Sequence, residues 1–413
     1  MDVVYRQCAG LDVHKKTVVA CRIVSTLDKR RIEVRTFGTM VADLLELADW
    51  LRAVAVTHVA MESTGVFWRP VFNILESEFE VLLVNAKHIK FVPGRKTDVR
   101  AAQWIAELLE HGLLKASFIP PTPQRELREL VRYRTHLIEE RTREVNRVQG
   151  VLETANLKLS SVATDVLGVS GREMLAAIIA GQEDPSVLAQ LAKGRLRAKI
   201  AELERALHGR VTDSHRLLLR LHLEHIDELN AKLVALEREI ADSMPPFDQA
   251  DLLARLQTIP GVGEKVAQTI VAEIGTDLSR FPSAGHLAAW AGLVPGKNES
   301  AGRNRSSRTN KANRYLKACL VEAANAVGHT RDSHLAAQFH RLAARRGKKR
   351  AAVAVAHSIA VIVYHIIRRG TSYVDLGPNY FDERKADAVQ HQLVKRLERL
   401  GFKVSLETLP ATA

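Results

Sequence analysis

The chain has 413 residues, with 60 Lys or Arg against 47 Asp or Glu, and its formal net charge is +13. This length is enough for two or three domains and excludes a single small binding module. The positive charge makes a polyanion the expected partner. The three cysteines have neither disulfide nor metal-ligand spacing, which argues against a disulfide framework and a zinc site.

The location of the protein is predicted from its apolar segments. The first residues lack the basic-then-apolar order of a secretory signal. The most apolar run, residues 351–367, is interrupted by His357, Ser358 and His365, which favours a buried helix over a membrane span. We therefore expect a soluble cytoplasmic protein that does not contact a membrane.

Residues 7–119 alternate between β-branched runs and helical stretches, as an α/β domain does. Strands are predicted over residues 8–13, 17–24, 31–37, 57–62 and 80–85. Helices are predicted over residues 40–54 and 66–77. Three consecutive strands followed by alternating helices and strands match the ribonuclease-H-like plan.

Three acidic residues are candidates for a metal site. Asp12 ends the first predicted strand, Glu62 ends the fourth, and Asp98 opens a helix. Strand ends at one edge of a sheet lie close together, and a divalent cation would relieve the repulsion between carboxylates gathered there. An all-oxygen site with few protein ligands suits Mg²⁺, which keeps water and accepts phosphate oxygens. The alternative is that these residues are turn and helix-cap residues.

Ala101 occupies the position where a fourth carboxylate would join this set. It lies three residues after Asp98, and therefore on the same face of the predicted helix. Alanine favours the helix, so the residue preserves the fold while removing a ligand.

Residues 121–245 contain long Leu-, Glu- and Arg-rich helices, and residues 125–153 are predicted to form one helix. A second helix has a short coiled-coil seam on three-four spacing. The seam either folds back on the earlier helix or pairs with another protomer, and pairing between protomers is the favoured alternative. Its residues are Leu219, Ile226, Leu229, Leu233, Leu236 and Ile240.

Residues 256–275 are predicted to form a helix, a glycine hairpin at Gly261 and Gly263, and a second helix that contains Lys265. Glycines allow close approach to a phosphate, and the N–H groups that open a helix favour an anion. This helix-hairpin-helix pattern predicts a DNA phosphate contact. The alternative is an ordinary tight turn between packed helices.

The segment between Gly292 and Arg314 is almost free of apolar residues and lies between two apolar helices, which is typical of a functional loop on a rigid frame. Arginines there could hold a scissile phosphate while a hydroxyl attacks it. The residues alone do not choose among Ser300, Ser306, Ser307 and Thr309. The basic residues predicted to bind nucleic acid are Lys297, Arg303, Arg305, Arg308, Lys311 and Arg314, and residues 345–350 form a further basic cluster.

Taken together, these segments resemble the DEDD-type insertion-sequence transposases, a family of bridge-RNA-guided DNA recombinases. The similar segments follow the family order and span nearly the whole chain. They are GLDVHKK, MESTG, the KTD of Asp98, AELLEHG, IPGVGEKVAQTIVAEIG, RFPSAGHLAAWAGLVP, the ESAG of Ser300 and NKANRYLK.

The resemblance implies an α/β, RuvC-like domain over residues 1–120, a helical coiled-coil linker and oligomerisation region over 121–245, a helical transposase domain over 246–370 and a tail over 371–413. Asp12, Glu62 and Asp98 match the first three family acids, Ser300 matches the nucleophilic serine, and Ala101 replaces the fourth acid. That replacement is expected to weaken or disable the metal site.

The resemblance also implies partners. These are Mg²⁺, double-stranded donor and target DNA, a structured noncoding bridge RNA, and further copies of the chain in a dimer of dimers inside a bacterial cell. Base pairing with the RNA would select the DNA sequences, while the protein contacts backbone and shape. Two other hypotheses are a metal-dependent nuclease of the Holliday-junction type, and a nucleic-acid-binding protein without catalytic activity.

Overall fold

The computed structural model describes residues 2–26, 29–63, 65–85, 98–248, 251–296, 299–300, 303–304, 308–309 and 312–407, with the backbone alone for 98–100, 299–300 and 303–304. The chain forms two compact units, residues 1–120 and 121–413. The finer divisions at residues 245 and 370 stay predictions.

A five-stranded sheet forms the centre of the first unit. Its strands are β1 (Gln7–Val13), β2 (Thr17–Ser25), β3 (Arg30–Gly38), β4 (His58–Glu62) and β5 (Glu80–Val84). They lie in the order β3-β2-β1-β4-β5. The first three strands are antiparallel, whereas β4 runs parallel to β1 and β5 parallel to β4. All five strands predicted for this region are confirmed.

Helices cover both faces of the sheet. Helices α1 (Val41–Arg52) and α2 (Trp68–Leu75) pack on the face that contains Leu11, Val59 and Met61. Helix α3 (Asp98–Glu110) packs on the other face, against Cys8, Ala60 and Leu82. Alternate residues of a strand point to opposite faces, so each strand contributes to two apolar cores. The prediction of a mixed α/β region is confirmed.

The second unit begins with a single long helix, α4 (Thr122–Thr154), as predicted. Four short α-helices follow, α5 (Leu159–Val162), α6 (Val169–Ile179), α7 (Pro185–Gln190) and α8 (Ile200–Ala206), with a 3-10 helix (Gly194–Lys199) before α8. Helix α9 (Asp213–Ser243) then returns along α4, with the Arg141 guanidinium 2.7 Å from Asn230 and Glu144 2.8 Å from His222.

The predicted coiled-coil seam folds back within the chain, because Leu219, Ile226, Leu229 and Ile240 are buried and α9 packs on α4. Leu233 and Leu236 are half-buried. The favoured pairing of this seam between protomers is therefore wrong for its buried residues. The apolar side chains of α4 cover the buried residues of the seam, and they belong to the same chain. A second chain is therefore not needed to bury them.

In the next part of the second unit, the described residues form helices and one hairpin. This part contains α10 (Leu252–Gln257), α11 (Glu264–Ile274), α12 (Ala284–Trp290), β6 (Glu299–Ser300), β7 (Arg303–Asn304), α13 (Arg314–Val327), α14 (His334–Arg346) and α15 (Lys348–Arg369). Helix α11 packs on the first half of α4, and α15 packs against α12, α13 and α14. The predicted linker helix α4 therefore also supports the region after residue 246.

Among the described residues, α15 is long and apolar enough to cross a membrane by length and composition only. Its side chains Val355, Ile359 and Val363 are fully buried inside the helical core, so the predicted buried helix is confirmed. The chain after residue 370 contains α16 (Tyr380–Glu383) and α17 (Ala386–Arg399), neither of which has a buried residue.

Candidate active site

Asp12 and Glu62 are positioned by the register of two neighbouring parallel strands. Cys8 pairs with His58 and Leu11 with Met61, so the next positions along β1 and β4 are Asp12 and Glu62. Side chains in register on parallel strands point to the same face of the sheet. The two carboxylates are therefore neighbours on the α3 face, at the carboxyl ends of both strands.

Helix α3 runs across this face antiparallel to β1. The N–H groups of Val4 and Tyr5 donate to the Glu110 carbonyl at the end of α3, and Cys8 lies against the Ala106 carbonyl. Gly10 allows this close contact, because a Cβ there would overlap the backbone of Ala102 and Ala106. The first turn of α3, which begins at Asp98, consequently approaches the strand end that contains Asp12.

Ala101 is buried in that first turn and only 4 % exposed. A carboxylate at this position would have lain in a poorly solvated place beside other acids. Such a group needs a cation to balance it. The alanine is thus compatible with the packing of α3 and removes one possible oxygen ligand.

The oxygen donors present fit a divalent cation, because Asp12 and Glu62 bring two carboxylates to one place. Asp12 is 14 % exposed at its side chain, and its Oδ2 lies 3.5 Å from Nε2 of His14. Among the described side chains, no cluster of three or more His, Cys, Asp or Glu residues is arranged to hold a metal ion. The Asp98 side chain lies outside the described residues.

The predicted glycine turn lies between α10 and α11, and its two glycines differ. Gly261 has φ +82°, and a Cβ there would overlap the carbonyl oxygen of Ala323 on α13. Gly263 has φ −87° and precedes α11, and no heavy atom lies near the position of its missing Cβ. Lys265 forms an ion pair with Glu237 of α9. Gly261 therefore serves packing, whereas Gly263 leaves open space at the start of a helix.

The basic segment after α12, predicted as a functional loop, contains a short β-hairpin. Pro295 bridges to Thr309, and the Gly296 N–H donates to the Arg308 carbonyl at 2.9 Å. Further out, Ser300 pairs with Arg303 as the last pair of β6 and β7. We call residues 295–309 the serine hairpin.

The other candidate nucleophiles have different positions. Thr309, at the base of the serine hairpin, accepts a hydrogen bond from Lys317 Nζ. Ser306 and Ser307 lie outside the described residues, as do Lys297, Arg305 and Lys311. Of Ser300 and Arg303 only the backbone is described.

Two predicted nucleic-acid-binding arginines have described side chains, Arg308 and Arg314, and both are exposed. Arg314 donates to the Tyr315 hydroxyl at 2.6 Å, and its guanidinium lies 4.6 Å from the centre of the Tyr315 ring.

A buried ion-pair network at the base of the serine hairpin was not predicted from the sequence. Glu273 of α11 has no exposed surface and accepts hydrogen bonds from Arg132 of α4 at 2.6 and 2.8 Å. Arg128 lies 3.3 Å from the same carboxylate, and burial lowers the pKa of Arg128 to about 10. Asn313 Nδ2 also donates to Glu273, at 2.6 Å.

One sequence signal could have pointed to Glu273. It is the only acidic residue in the apolar stretch from Val266 to Ile274, and a buried carboxylate requires a partner. Nothing in the linear pattern identifies Arg128 and Arg132 as that partner, because α4 contains several other arginines in similar sequence surroundings. No sequence pattern indicated a role for Tyr315 and Trp290, which flank the hairpin.

Two family models match the chain. A transposase model of the DEDD IS110 type matches residues 9–157, and a model of the IS116/IS110/IS902 transposase family matches residues 253–340. The first match begins within β1 and includes β4 and α3, and the second includes the glycine turn, the serine hairpin and α13.

Two relatives cover most of the chain. A transposase for the insertion sequence element IS1111A from Coxiella burnetii is 25 % identical over 88 % of this chain and 90 % of its own length. A probable family 20 transposase from Pseudomonas aeruginosa is 25 % identical over 79 % and 89 %. A pilin gene-inverting protein from Moraxella bovis is 31 % identical over a shorter region, 30 % of this chain and 38 % of its own. Together, the two family matches and these relatives support an IS110-type DEDD transposase, a DNA-recombining enzyme.

Proposed function

We propose that this protein is an RNA-guided recombinase of an insertion sequence, which joins donor DNA to target DNA through a covalent Ser300 intermediate. The observation that carries the proposal is the presence, in one chain, of two carboxylates in register at a sheet edge and of a hydroxyl-bearing hairpin rich in arginine. The similarity to insertion-sequence transposases supports it.

Asp12, Glu62 and Asp98 would hold Mg²⁺, and Ala101 leaves this set one carboxylate short. The cation would stabilise the negative charge that develops on the attacked phosphate. Without a cation, the same three carboxylates would repel the phosphate. Their role in catalysis would therefore be to bind the metal ion. A weakened or disabled metal site is the consequence that we propose for Ala101.

Ser300 would attack a DNA phosphodiester. Its Oγ forms a bond to phosphorus, one ester bond to a deoxyribose oxygen breaks, the serine proton is lost, and the leaving oxygen gains a proton. The basic residues of the serine hairpin region, including Arg308 and Arg314, would neutralise the phosphate during this exchange. A second exchange by a strand hydroxyl would release the serine.

We propose three partners: donor DNA, target DNA and a structured noncoding RNA that pairs with both. The net charge of +13 supports contact with several phosphate backbones. The most direct test is to purify the protein with its co-expressed flanking RNA and sequence the bound RNA. Recovery of RNA without any flanking sequence would contradict RNA guidance.

We also propose a homo-oligomer, a dimer of dimers, in which the acids and Ser300 that act on one phosphate come from one protomer or from two. Its support is an apolar patch on α9: Leu217 and Leu221 are 52 % and 50 % exposed, on the side opposite the buried seam. Leu217→Asp combined with Leu221→Asp should lower the mass measured by light scattering. An unchanged mass would exclude this patch as the contact.

The nucleophile is tested on a denaturing gel after incubation with RNA and labelled donor and target DNA. The wild-type chain, or Ala101→Asp if the wild type is inactive, should form a protein-DNA adduct that Ser300→Ala abolishes. Ser306→Ala and Ser307→Ala are matched controls that should retain the adduct. An adduct formed by Ser300→Ala would overturn the assignment.

The alternative functions give different products. A metal-dependent nuclease in which water attacks would yield free cut ends without an adduct. A nucleic-acid-binding protein without catalysis is favoured by Ala101, and it would stay inactive after Ala101→Asp. Recombination that appears with Ala101→Asp would instead identify a disabled enzyme.

A further inference from the structure

A cavity of about 450 Å³ opens at the base of the serine hairpin. From its walls we infer that it binds one unstacked nucleotide of a DNA single strand. Its volume lies in the range of small-molecule binding sites. We call it the Tyr315 pocket, and it is lined by Arg132, Trp290, Ala312, Asn313, Arg314 and Tyr315.

The walls of the Tyr315 pocket offer flat surfaces for a base. The guanidinium groups of Arg132 and Arg314 each lie 4.6 Å from the centre of the Tyr315 ring, so the ring holds both. The indole of Trp290 is half-buried and packs edge-to-face with Phe281 at 5.3 Å. Unstacked bases bind to aromatic rings and to guanidinium planes of this kind.

The charge of the Tyr315 pocket suits a phosphodiester. Glu273 accepts from Arg132 and also balances Arg128, and Arg314 adds a third guanidinium. The carboxylate of Glu139, on α4, attracts the Arg314 guanidinium electrostatically. Three guanidinium groups against two carboxylates leave an excess of one positive charge, which one backbone phosphate would neutralise.

The position of the pocket selects the partner. Its walls Trp290 and Asn313 are the two ends of the segment that contains the serine hairpin, and the Asn313 N–H donates to the Trp290 carbonyl at 3.2 Å. A nucleotide bound in this pocket would belong to the DNA strand that contacts the serine hairpin. A base paired in a duplex cannot enter a one-base pocket, so the strand must be unpaired at this point. Its role in recombination rests on the proposed function, whereas the binding itself does not.

Tryptophan fluorescence tests the binding, because Trp290 is the only tryptophan of the second unit. The probe is decathymidylate, compared with an abasic decamer of equal phosphate number. We expect decathymidylate to quench the fluorescence and to bind about tenfold more tightly than the abasic decamer. Trp290→Phe should remove the quenching. Anisotropy of a labelled strand would show that this variant is saturated with DNA when its tryptophan emission is measured.

Variants of the pocket walls test the contacts. Arg314→Ala and Tyr315→Ala should weaken decathymidylate binding about fivefold to tenfold, and Tyr315→Phe, which keeps the ring, should bind as the wild type does. Tyr133→Ala is the matched control, because Tyr133 is 53 % exposed and follows Arg132 on α4. Ser300→Ala should bind decathymidylate normally, so a failure of the nucleophile proposal leaves this test intact.

Three results would overturn the inference. Equal affinity for decathymidylate and for the abasic decamer would show that the site binds phosphates and does not bind a base. Quenching that persists in Trp290→Phe would place the strand elsewhere. Tighter binding of decauridylate RNA than of decathymidylate would assign the pocket to RNA.

Discussion

The carboxylate of Glu273, which has no exposed surface, accepts a hydrogen bond of 2.6 Å from the side-chain amide of Asn313. Asn313 also caps α13, since its Oδ1 accepts from the N–H groups of Tyr315 and Leu316. One end of the segment that contains the serine hairpin is thereby fixed to α11 and, through Arg132, to α4.

Glu273→Gln should destabilise the second unit and also disturb the hairpin. The substitution leaves Arg128 buried without its balancing charge, and breaking a buried pair costs about 3 to 5 kcal/mol. Chemical denaturation measures the loss. Glu139→Gln, which changes an exposed carboxylate on α4, should cost less than about 1 kcal/mol. Equal losses for both variants would contradict a structural role for the Glu273 network.

Ala101→Asp should make the stability of the protein depend on Mg²⁺. Ala101 is 4 % exposed, so the new carboxylate would be buried near Asp12 and would cost on the order of 3 kcal/mol in the absence of a cation. Millimolar Mg²⁺ should restore much of this loss, measured as the melting temperature.

Ala102→Asp is the matched control for that experiment. Ala102 is fully buried against Gly10, in the apolar core between α3 and the sheet. Mg²⁺ should therefore not restore the stability that a carboxylate at this position removes. Rescue of both variants, or of neither, would contradict a metal site at the start of α3.

Gly261→Ala and Gly263→Ala should separate packing from phosphate binding. Alanine at 261 is strained at φ +82° and overlaps the Ala323 carbonyl, so we expect a loss of about 2 to 4 kcal/mol. Alanine at 263 meets no atom and should change stability by less than about 1 kcal/mol. It should still weaken binding to duplex DNA, because its methyl group narrows the approach to the N–H groups of α11. Unchanged DNA affinity would exclude Gly263 from a phosphate contact.

The three cysteines should react with a thiol reagent only when the protein opens. Burial raises the pKa of Cys8, Cys21 and Cys319 to about 12, so the reactive thiolate is scarce at pH 8. Labelling by a chromogenic disulfide should be at least about 100-fold slower in the folded protein than in urea, and the rate should rise with pH. Stoichiometric labelling within seconds at pH 8 would contradict the buried positions.

The strands of the first unit were predictable because β-branched runs and turns leave a local pattern. That pattern also located Asp12 and Glu62 at strand ends. It could not give the register between β1 and β4, since pairing between strands 50 residues apart depends on packing of both faces of the sheet.

The seam of α9 shows a different limit. Its three-four spacing correctly predicted a buried apolar face, but an apolar face is satisfied equally by the same chain and by another one. Only the packing of α9 on α4 decides that the buried seam is internal.

By itself the sequence determined the chemistry available: the acids, the missing fourth acid at Ala101, the glycine turn, and a basic segment with several hydroxyls. These follow from residue type and spacing along one element. The tertiary structure decided which residues meet: Asp12 beside Glu62, Ser300 paired with Arg303 in a hairpin, and Glu273 joined to Asn313 and Arg132. These contacts connect distant segments, and burial and close packing of whole elements select them, which no local pattern encodes.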